Sequence, residues 1–508
     1  MADTKREIEL KYESDESGLP DLTGVAGVAT VLDKGMAELD AVYYDTPDER
    51  LAASGITLRR RTGGSDAGWH LKFPVSSGVR DEIRAPLSDT LPGELAGLVR
   101  SRVRETELVP LVRLRSTRDI SDLLDANGTP LAEVSVDAVH AERLTDGGRT
   151  AQWSEIEVEL ADGVDPDFLT KVDKKLRKAG IRPSASASKL ARALEETARR
   201  KKGKGRKRGG KVRAGGKAVT SGDHVLAYVS AQRDAIVELD PAVRRDVFDS
   251  VHSMRVATRR LRSTFKSYGK VLDRGVTDPI GEELKWLAGE LGLDRDQEVL
   301  TERLTAAIGD LPEGLVTGPV RTRLDTWAGA RSTGSRRRLI AVLNGERYLE
   351  LLKSLDAVVA DPPLLKAADG DPEKVITKAV KRDFAKVSAL VEEALDQPSS
   401  GPERDFAMHE ARKKAKRTRY AAEAAAPALG KSAESLAKDM KSLQSLLGDH
   451  QDSVMAREAL RDIALQSHAA GENSFTYGVL YGREERVAAD REAELPDVWK
   501  TIKDRVRV

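Results

Sequence analysis

Three short stretches place charged residues two apart, and that spacing decides what they can do together. In an extended strand alternate residues share a face, so Glu7, Glu9 and Lys11 point one way while Ile8, Leu10 and Tyr12 point the other. Glu155, Glu157 and Glu159 stand together in the same manner opposite Ile156, Val158 and Leu160, and Arg59 and Arg61 share one face of the strand ending Leu58-Arg59-Arg60-Arg61. A solvated antiparallel sheet accounts for any one of these strands taken singly. Their combination points to a sheet closed into a barrel, with carboxylates on one wall of a polar interior and guanidinium or ammonium groups on the other. Carboxylates with free oxygens suit hard magnesium or manganese ions, which keep positions for water and phosphate, while arginine and lysine hold the remaining phosphate oxygens. Such an interior suits a metal-bound polyanion.

A second constellation is helical. Shifted by 157 positions, the chain aligns His252-x-x-Arg255-x-x-x-Arg259-Arg260-x-Arg262 with His409-x-x-Arg412-x-x-x-Lys416-Arg417-x-Arg419. At about 100° per residue the outer positions fall within roughly 80° of one another. His252, Arg255, Arg259 and Arg262 therefore form one stripe, and His409, Arg412, Lys416 and Arg419 a second. A lone basic stripe is usually a solvated face. Two at matched spacing predict two faces of one site, where like charges repel unless an anion lies between them. Arginine offers planar paired donors to phosphate, and histidine can gain charge as the anion approaches. Leu291-Gly292-x-x-x-Asp296 aligns with Leu447-Gly448-x-x-x-Asp452 at an offset of 156, which carries the repeat into a partner helix. Asp296 and Asp452 are expected to form ion pairs or position helices rather than bind metal, with His450 partnered similarly. The repeats part company where Leu293-Asp294-Arg295 faces Asp449-His450-Gln451.

The elements that carry these residues follow from period and punctuation. Runs at Glu7 to Tyr12, Gly55 to Arg61, Trp69 to Phe73, Leu131 to Asp137 and Trp153 to Leu160 alternate as strands. Beyond Lys217 the pattern turns to long helices. Asp240-Pro241 reads as the N-cap and first residue of a helix running to Tyr268, and Pro402 and Pro427 bracket another. Between the halves, Arg199 to Lys217 is almost wholly glycine and positive charge and cannot bury enough surface to fold, so it reads as a linker. The 508 residues exceed one ordinary core. No cysteine is present, which excludes disulfides, thiolate metal sites and cysteine nucleophiles. The early residues have no apolar stretch of signal type and no apolar run approaches a membrane span, so a cytoplasmic protein without a membrane partner is expected.

The Glu7-x-Glu9-x-Lys11 pattern resembles the signature of the CYTH, or triphosphate tunnel metalloenzyme, superfamily. Further motifs match it in order: Tyr43-Tyr44-Asp45-Thr46, Leu58 to Arg61, Trp69-His70-Leu71-Lys72, Ser116-Thr117-Arg118, Ala132 to Asp137, Glu155-x-Glu157 and Ser188-Lys189. The resemblance implies an eight-stranded antiparallel tunnel over residues 1–197. Glu7, Glu9, Asp137, Glu155 and Glu157 would hold magnesium or manganese, and Lys11, Arg59, Arg61, Lys72, Arg118 and Lys189 would grip a triphosphate, with Arg113 and Arg115 competing for the place of Arg118. Glu7, Glu9 and Lys11 are the expected catalytic group. The implied reaction is attack of a metal-activated water on the terminal phosphorus, with a carboxylate orienting or deprotonating it. Glu159 is open between a ligand and a supporting role, and His70, read as lying on the strand face opposite Lys72, is expected to be exposed.

The later half resembles the CHAD domain, a conserved-histidine helical module associated with inorganic polyphosphate. It implies an all-α duplicated bundle over residues 222–508, with repeats at about 222–360 and 372–505 after a linker at 198–221. His252, Arg255, Arg259, Arg260, Arg262, His409, Arg412, Lys413, Lys416, Arg417 and Arg419 are the implied phosphate contacts, some of them facing solvent. The combined expectation is an α+β multidomain inorganic triphosphatase, splitting tripolyphosphate into diphosphate and phosphate, joined to a polyphosphate-binding module and associated with polyphosphate granules. Two other readings compete: a weakly catalytic polyphosphate adaptor, and nucleic-acid binding through the basic linker alone.

Overall fold

The structure, a computed structural model, describes residues 3–14, 18–145, 147–198, 219–332, 335–397 and 401–506. Contacts divide the chain into two compact units, Met1–Lys211 and Val212–Val508. The stretch read as a linker, Arg199 to Lys217, lies outside the described residues.

The first unit runs β1 (Asp3–Glu13), β2 (Thr30–Asp45), α1 (Arg50–Ala53), β3 (Thr57–Thr62), β4 (Gly68–Ser76), β5 (Val79–Pro86), α2 (Gly93–Val103), β6 (Val109–Leu124), β7 (Pro130–Arg143), β8 (Thr150–Leu160), α3 (Asp167–Lys178) and α4 (Lys189–Glu196). The strands close into one antiparallel barrel in the order β1-β5-β4-β3-β2-β6-β7-β8. On most strands alternation sends polar residues inward and apolar ones outward, where helices cover them, whereas β2 turns Ala37, Leu39 and Tyr43 inward and Glu38 and Asp40 outward. Leu58, Leu71 and Ile83 pack under Leu95, Leu98 and Val99 of α2, and Val134, Ile156 and Val158 pack under Phe168, Val172 and Leu176 of α3. One end of the interior is apolar. There Ala41, Leu114, Val139 and Trp153 meet Leu190 and Ala193 of α4, which stoppers the barrel. Ser188 fixes the start of that helix by accepting from the Ala191 amide at 3.1 Å. Gly63 adopts φ +79°, and a Cβ there would fall 2.1 Å from the Glu38 carbonyl oxygen, so the β2 edge admits no side chain.

The second unit comprises α5 (Ser221–Arg244), α6 (Ser250–Ser267), α7 (Arg274–Glu290), α8 (Leu293–Gly309), α9 (Val320–Ser332), α10 (Ser335–Asn344), α11 (Glu346–Ala360), α12 (Pro372–Asp396), α13 (Pro402–Leu429), α14 (Lys431–Ala469) and α15 (Phe475–Arg505). The repeats do not build separate cores. Met254 and Leu261 of α6, Met408 and Ala415 of α13 and Leu443 of α14 belong to one buried cluster, while α8, α9, α14 and α15 share a smaller one around Leu304, Trp327, Leu460 and Leu480. Helices α6 and α13, which carry the two stripes, lie in contact.

The start expected at Asp240-Pro241 is not observed. Both residues sit in the last turn of α5, and α6 begins only at Ser250, after Asp246 and Asp249 in the left-handed region. Proline weakens that last turn, but tertiary contacts hold it. Arg244 donates to buried Asp240 at 2.7 Å and to the Leu343 carbonyl at 2.7 Å. Pro402 does open α13, while Pro427 is absorbed in its final turn. Among the described residues no helix is long and apolar enough to cross a membrane.

Candidate functional site

The barrel encloses a cavity of about 460 Å³. Glu7, Glu9 and Lys11 enter it from β1, Arg59 and Arg61 from β3, Lys72 from β4, Arg118 from β6, Glu157 from β8 and Lys189 from α4. Register resolves the rivalry at β6. Arg118 stands opposite Asp137 and donates to both of its oxygens at 2.8 Å, whereas Arg113 and Arg115 lie on the other face beside Asp40.

Of the five acids expected to ligate metal, three form a compact group. Asp137, Glu155 and Glu157 present oxygens within 4.8 Å of one another. Glu9 borders this group through Lys11, whose ammonium pairs with both Glu9 and Glu157, while Glu7 faces Arg80 of β5. Glu7 is ion-paired to Lys72, and Glu9 to Lys11 at 3.1 Å.

The triad itself suits a hard cation. Its donors are all carboxylate oxygens, and buried Glu155 Oε1 faces a cation, the Lys189 ammonium. The Lys189 ammonium already occupies the focus, 3.0 Å from Asp137, 2.8 Å from Glu155 and 2.6 Å from Glu157. Glu159 turns to Lys5 at 2.6 Å.

His70 is 1% exposed rather than exposed as expected. Residues two apart share a strand face, so His70 lies on the same face as Lys72. Its Nε2 lies 2.9 Å from the Asp66 carbonyl and its Nδ1 2.9 Å from Glu82 Oε1, and burial lowers the imidazole to about 4. Glu82, buried completely, was not singled out from the sequence, nor were Arg80 and Arg84 beside it in the cavity. Their signal was the alternation Arg80-x-Glu82-x-Arg84, which mixes signs and so resembles an ordinary surface strand. Asp45, part of the matched Tyr-Tyr-Asp-Thr run, serves the fold: it accepts from the Thr46, Leu51 and Ala52 amides and so orders α1.

Burial separates the ionisation of these acids. Glu7 is pushed up to about 7 by burial and by Glu82, against the pull of Lys72. Burial also raises Glu9, but Lys11 and Lys72 together hold the carboxyl below its usual range. Lys189 loses solvation, yet Asp137, Glu157 and Glu155 raise its ammonium well above the ordinary lysine value. Arg61 is lowered to about 9 by burial and by Arg59 and Arg118. The cavity thus contains a carboxylate cluster penetrated by Lys189 and Arg118, a set of cations across from it, and one carboxyl that titrates near neutrality.

The helical unit has its own cavity, of about 890 Å³. His252, Arg255, Arg259 and Arg260 reach it from α6, and His409, Arg412, Lys416 and Arg419 from α13. Arg262, Lys413 and Arg417 do not. Arg262 pairs with Glu282 at 3.6 Å and Lys413 with Glu410 at 2.6 Å, whereas Arg417 turns 100° past Lys416 to reach buried Asp383 at 3.2 Å. His409 Nδ1 and Arg412 Nε are buried without hydrogen-bond partners, and the Arg412 Nε–H is a donor left for an anion. Burial, with the Arg259, Arg412 and Arg255 guanidiniums, lowers Lys416 to about 7. Asp452 lies 3.8 Å from Arg412, and the side chain of Asp296 is outside the described residues. Arg303 of α8, held by Glu484 at 2.6 Å, also lines the cavity, and nothing in its local sequence marks it.

The repeated Leu-Gly element now has a physical role. A Cβ on Gly292 would fall 2.8 Å from the Arg255 guanidinium carbon, and one on Gly448 would fall 3.3 Å from Arg412 Nη2. Each glycine makes room for the arginine of its own repeat.

Comparison with known proteins agrees with this division. A CYTH domain model matches residues 5–194 and a CHAD domain model matches residues 227–461. Two Mycobacterium tuberculosis proteins described only as uncharacterized, from strains CDC 1551 / Oshkosh and ATCC 25618 / H37Rv, are each 39% identical over 523 aligned positions, covering 98% of this chain and 97% of their own. Among solved structures, PptA from Streptomyces chartreusis is 20% identical with TM-score 0.48, over 56% of this chain and 100% of its own. The CHAD domain from the plant Ricinus communis is 22% identical with TM-score 0.44, over 58% and 96%. Identity at that level along nearly the whole of both chains, with both domain models matched in order, places the chain in one family with the mycobacterial proteins: it belongs to the proteins that join a CYTH domain to a CHAD domain.

Proposed function

We propose that the barrel hydrolyses a phosphoanhydride bond of tripolyphosphate with magnesium or manganese, and that the helical cavity binds inorganic polyphosphate. The observation that carries the reading is a closed tunnel that gathers Asp137, Glu155 and Glu157 on one wall and sets Arg59, Arg61, Lys72 and Arg84 across from them. A divalent ion held by the three carboxylates supplies Lewis acidity and offsets phosphate charge. The chain's own residues do the remainder. Arginine forks and lysine ammonium groups bind the non-reacting oxygens and fix the chain of phosphates in line. Leu190 and Ala193 of α4 pack against the apolar end of the barrel, which favours a short substrate over a threaded polymer. A metal held there would displace Lys189 from the carboxylates, and its ammonium would then be placed to bind phosphate.

Phosphate release from tripolyphosphate by the full chain tests this reading. Glu155→Gln with Glu157→Gln should lower turnover at least about a hundredfold, the scale of losing a charge-stabilising group. Full turnover in that variant would end the proposal.

A further inference from the structure

Away from both cavities, three helices of the second unit bring one imidazole and two carboxylates to a point. His450, midway along α14, is 1% exposed. Its Nε2 lies 3.2 Å from Asp405 Oδ1 in the first turn of α13 and 3.3 Å from Glu492 Oε1 on α15. The three donor atoms fall within 4.8 Å of one another, and Glu492 is 5% exposed. An imidazole N–H can serve one acceptor well, and here two anionic oxygens compete for it at long range.

The outer oxygens show how the carboxylates are held. Arg457 Nη2 lies 3.5 Å from Asp405 Oδ2, and Arg404 Nη1 lies 3.4 Å from Glu492 Oε2. Each carboxylate therefore keeps one oxygen facing the imidazole nitrogen and gives the other to a guanidinium. Metal-ligating carboxylates are characteristically oriented by such outer partners. The two arginines already balance the two carboxylates, so an ion here is a matter of donor geometry rather than of charge.

We propose that Asp405, His450 and Glu492 form a binding site for a divalent transition-metal ion of the zinc type, separate from the tunnel. Imidazole with carboxylate favours such an ion over magnesium, whereas the all-carboxylate group of the barrel has the opposite preference. Three protein donors leave a fourth tetrahedral position for water. The site belongs to the second repeat only, since the position aligned with His450 in the first is Asp294. Its occupant ties the start of α13, the helix bearing His409 and Arg412, to α14 and α15.

The test uses the full chain carrying Glu155→Gln and Glu157→Gln, so that the barrel carboxylates take no metal. After removal of metal with a chelator, zinc is titrated calorimetrically, with cobalt as an optical probe. One equivalent of zinc should bind at micromolar concentration and raise the melting temperature. His450→Gln and Glu492→Gln should each weaken binding at least about tenfold and abolish the rise. Far-UV circular dichroism checks each variant for native helix; should His450→Gln fail to fold, half-buried Asp405→Asn decides on the same readouts. No zinc uptake, unchanged uptake in the variants, or equally tight magnesium binding each overturns the assignment.

Discussion

Lys416 sits where cations of both repeats converge, facing Arg255 and Arg259 of α6, Arg412 of its own helix, Asp452 of α14 and Arg303 of α8. A lysine whose folded value, about 7, lies below its ordinary 10.5 opposes folding fully below that pH, and the penalty fades as pH rises toward the unfolded value. A bound polyanion reverses the balance by favouring the ammonium, so binding takes up a proton wherever free Lys416 is neutral. Polyphosphate affinity should fall by up to about tenfold per pH unit above 7 until the value of the bound state is reached. Calorimetry at about pH 8 in buffers of different ionisation enthalpy should count roughly one proton taken up per site. Lys416→Arg should keep the affinity and lose the slope, because arginine stays charged throughout. A slope that survives this substitution rules out Lys416 as its source.

At the scale of elements, the two repeats solve the same packing problem differently. In the first, α7 ends and α8 begins around Gly292; in the second, α14 runs unbroken through Gly448. Gly448→Ala should therefore gain helix propensity, about 1 kcal/mol, while pressing on Arg412. Polyphosphate binding should weaken slightly as thermal stability holds or rises. Gly292→Ala meets Arg255 at a closer 2.8 Å and should displace the guanidinium, weakening binding roughly tenfold, the loss of one charge-assisted contact. Equal effects of the two substitutions would mean that the glycines serve the backbone and not the arginines. The Leu-Gly repeat was visible in the sequence, but its purpose was not, because a glycine's reason lies in whatever approaches it from another helix. The same divide runs through the barrel. Strand parity revealed Glu7, Arg59 and Glu157 from spacing alone, while parity properly applied would also have turned His70 inward. Register, which sets Lys11 and not an acid beside Glu157, depends on strand pairing that no single strand encodes. The break between α5 and α6 was missed for the converse reason: Asp240-Pro241 is a good local start signal overridden by the burial of Asp240 and its bond to Arg244.

At the scale of the whole molecule, a net charge of +1 conceals two cavities of opposite internal design. The barrel interior interleaves acids with bases, so its field is steep and local, as suits charge developing at one bond. Carboxylates are scarce in the helical cavity, where Asp452 faces several guanidiniums, so its field is broad and suits a repeating anion held without reaction. Each cavity is lined by residues of one unit only, and each unit has its own buried clusters. Binding and turnover should therefore be separable by mutation. Arg255→Glu with Arg412→Glu removes one guanidinium per repeat and reverses two charges. At about 1.5 kcal/mol for each charged contact, this should weaken long-chain polyphosphate binding at least roughly a hundredfold. Tripolyphosphate turnover in the same variant should stay within about twofold of the parent, since neither residue borders the tunnel. Binding measured by titration and phosphate release measured on the same preparation decide the matter. Parallel loss of both would mean that the helical cavity takes part in turnover, and retention of both would remove the paired stripes from polymer binding.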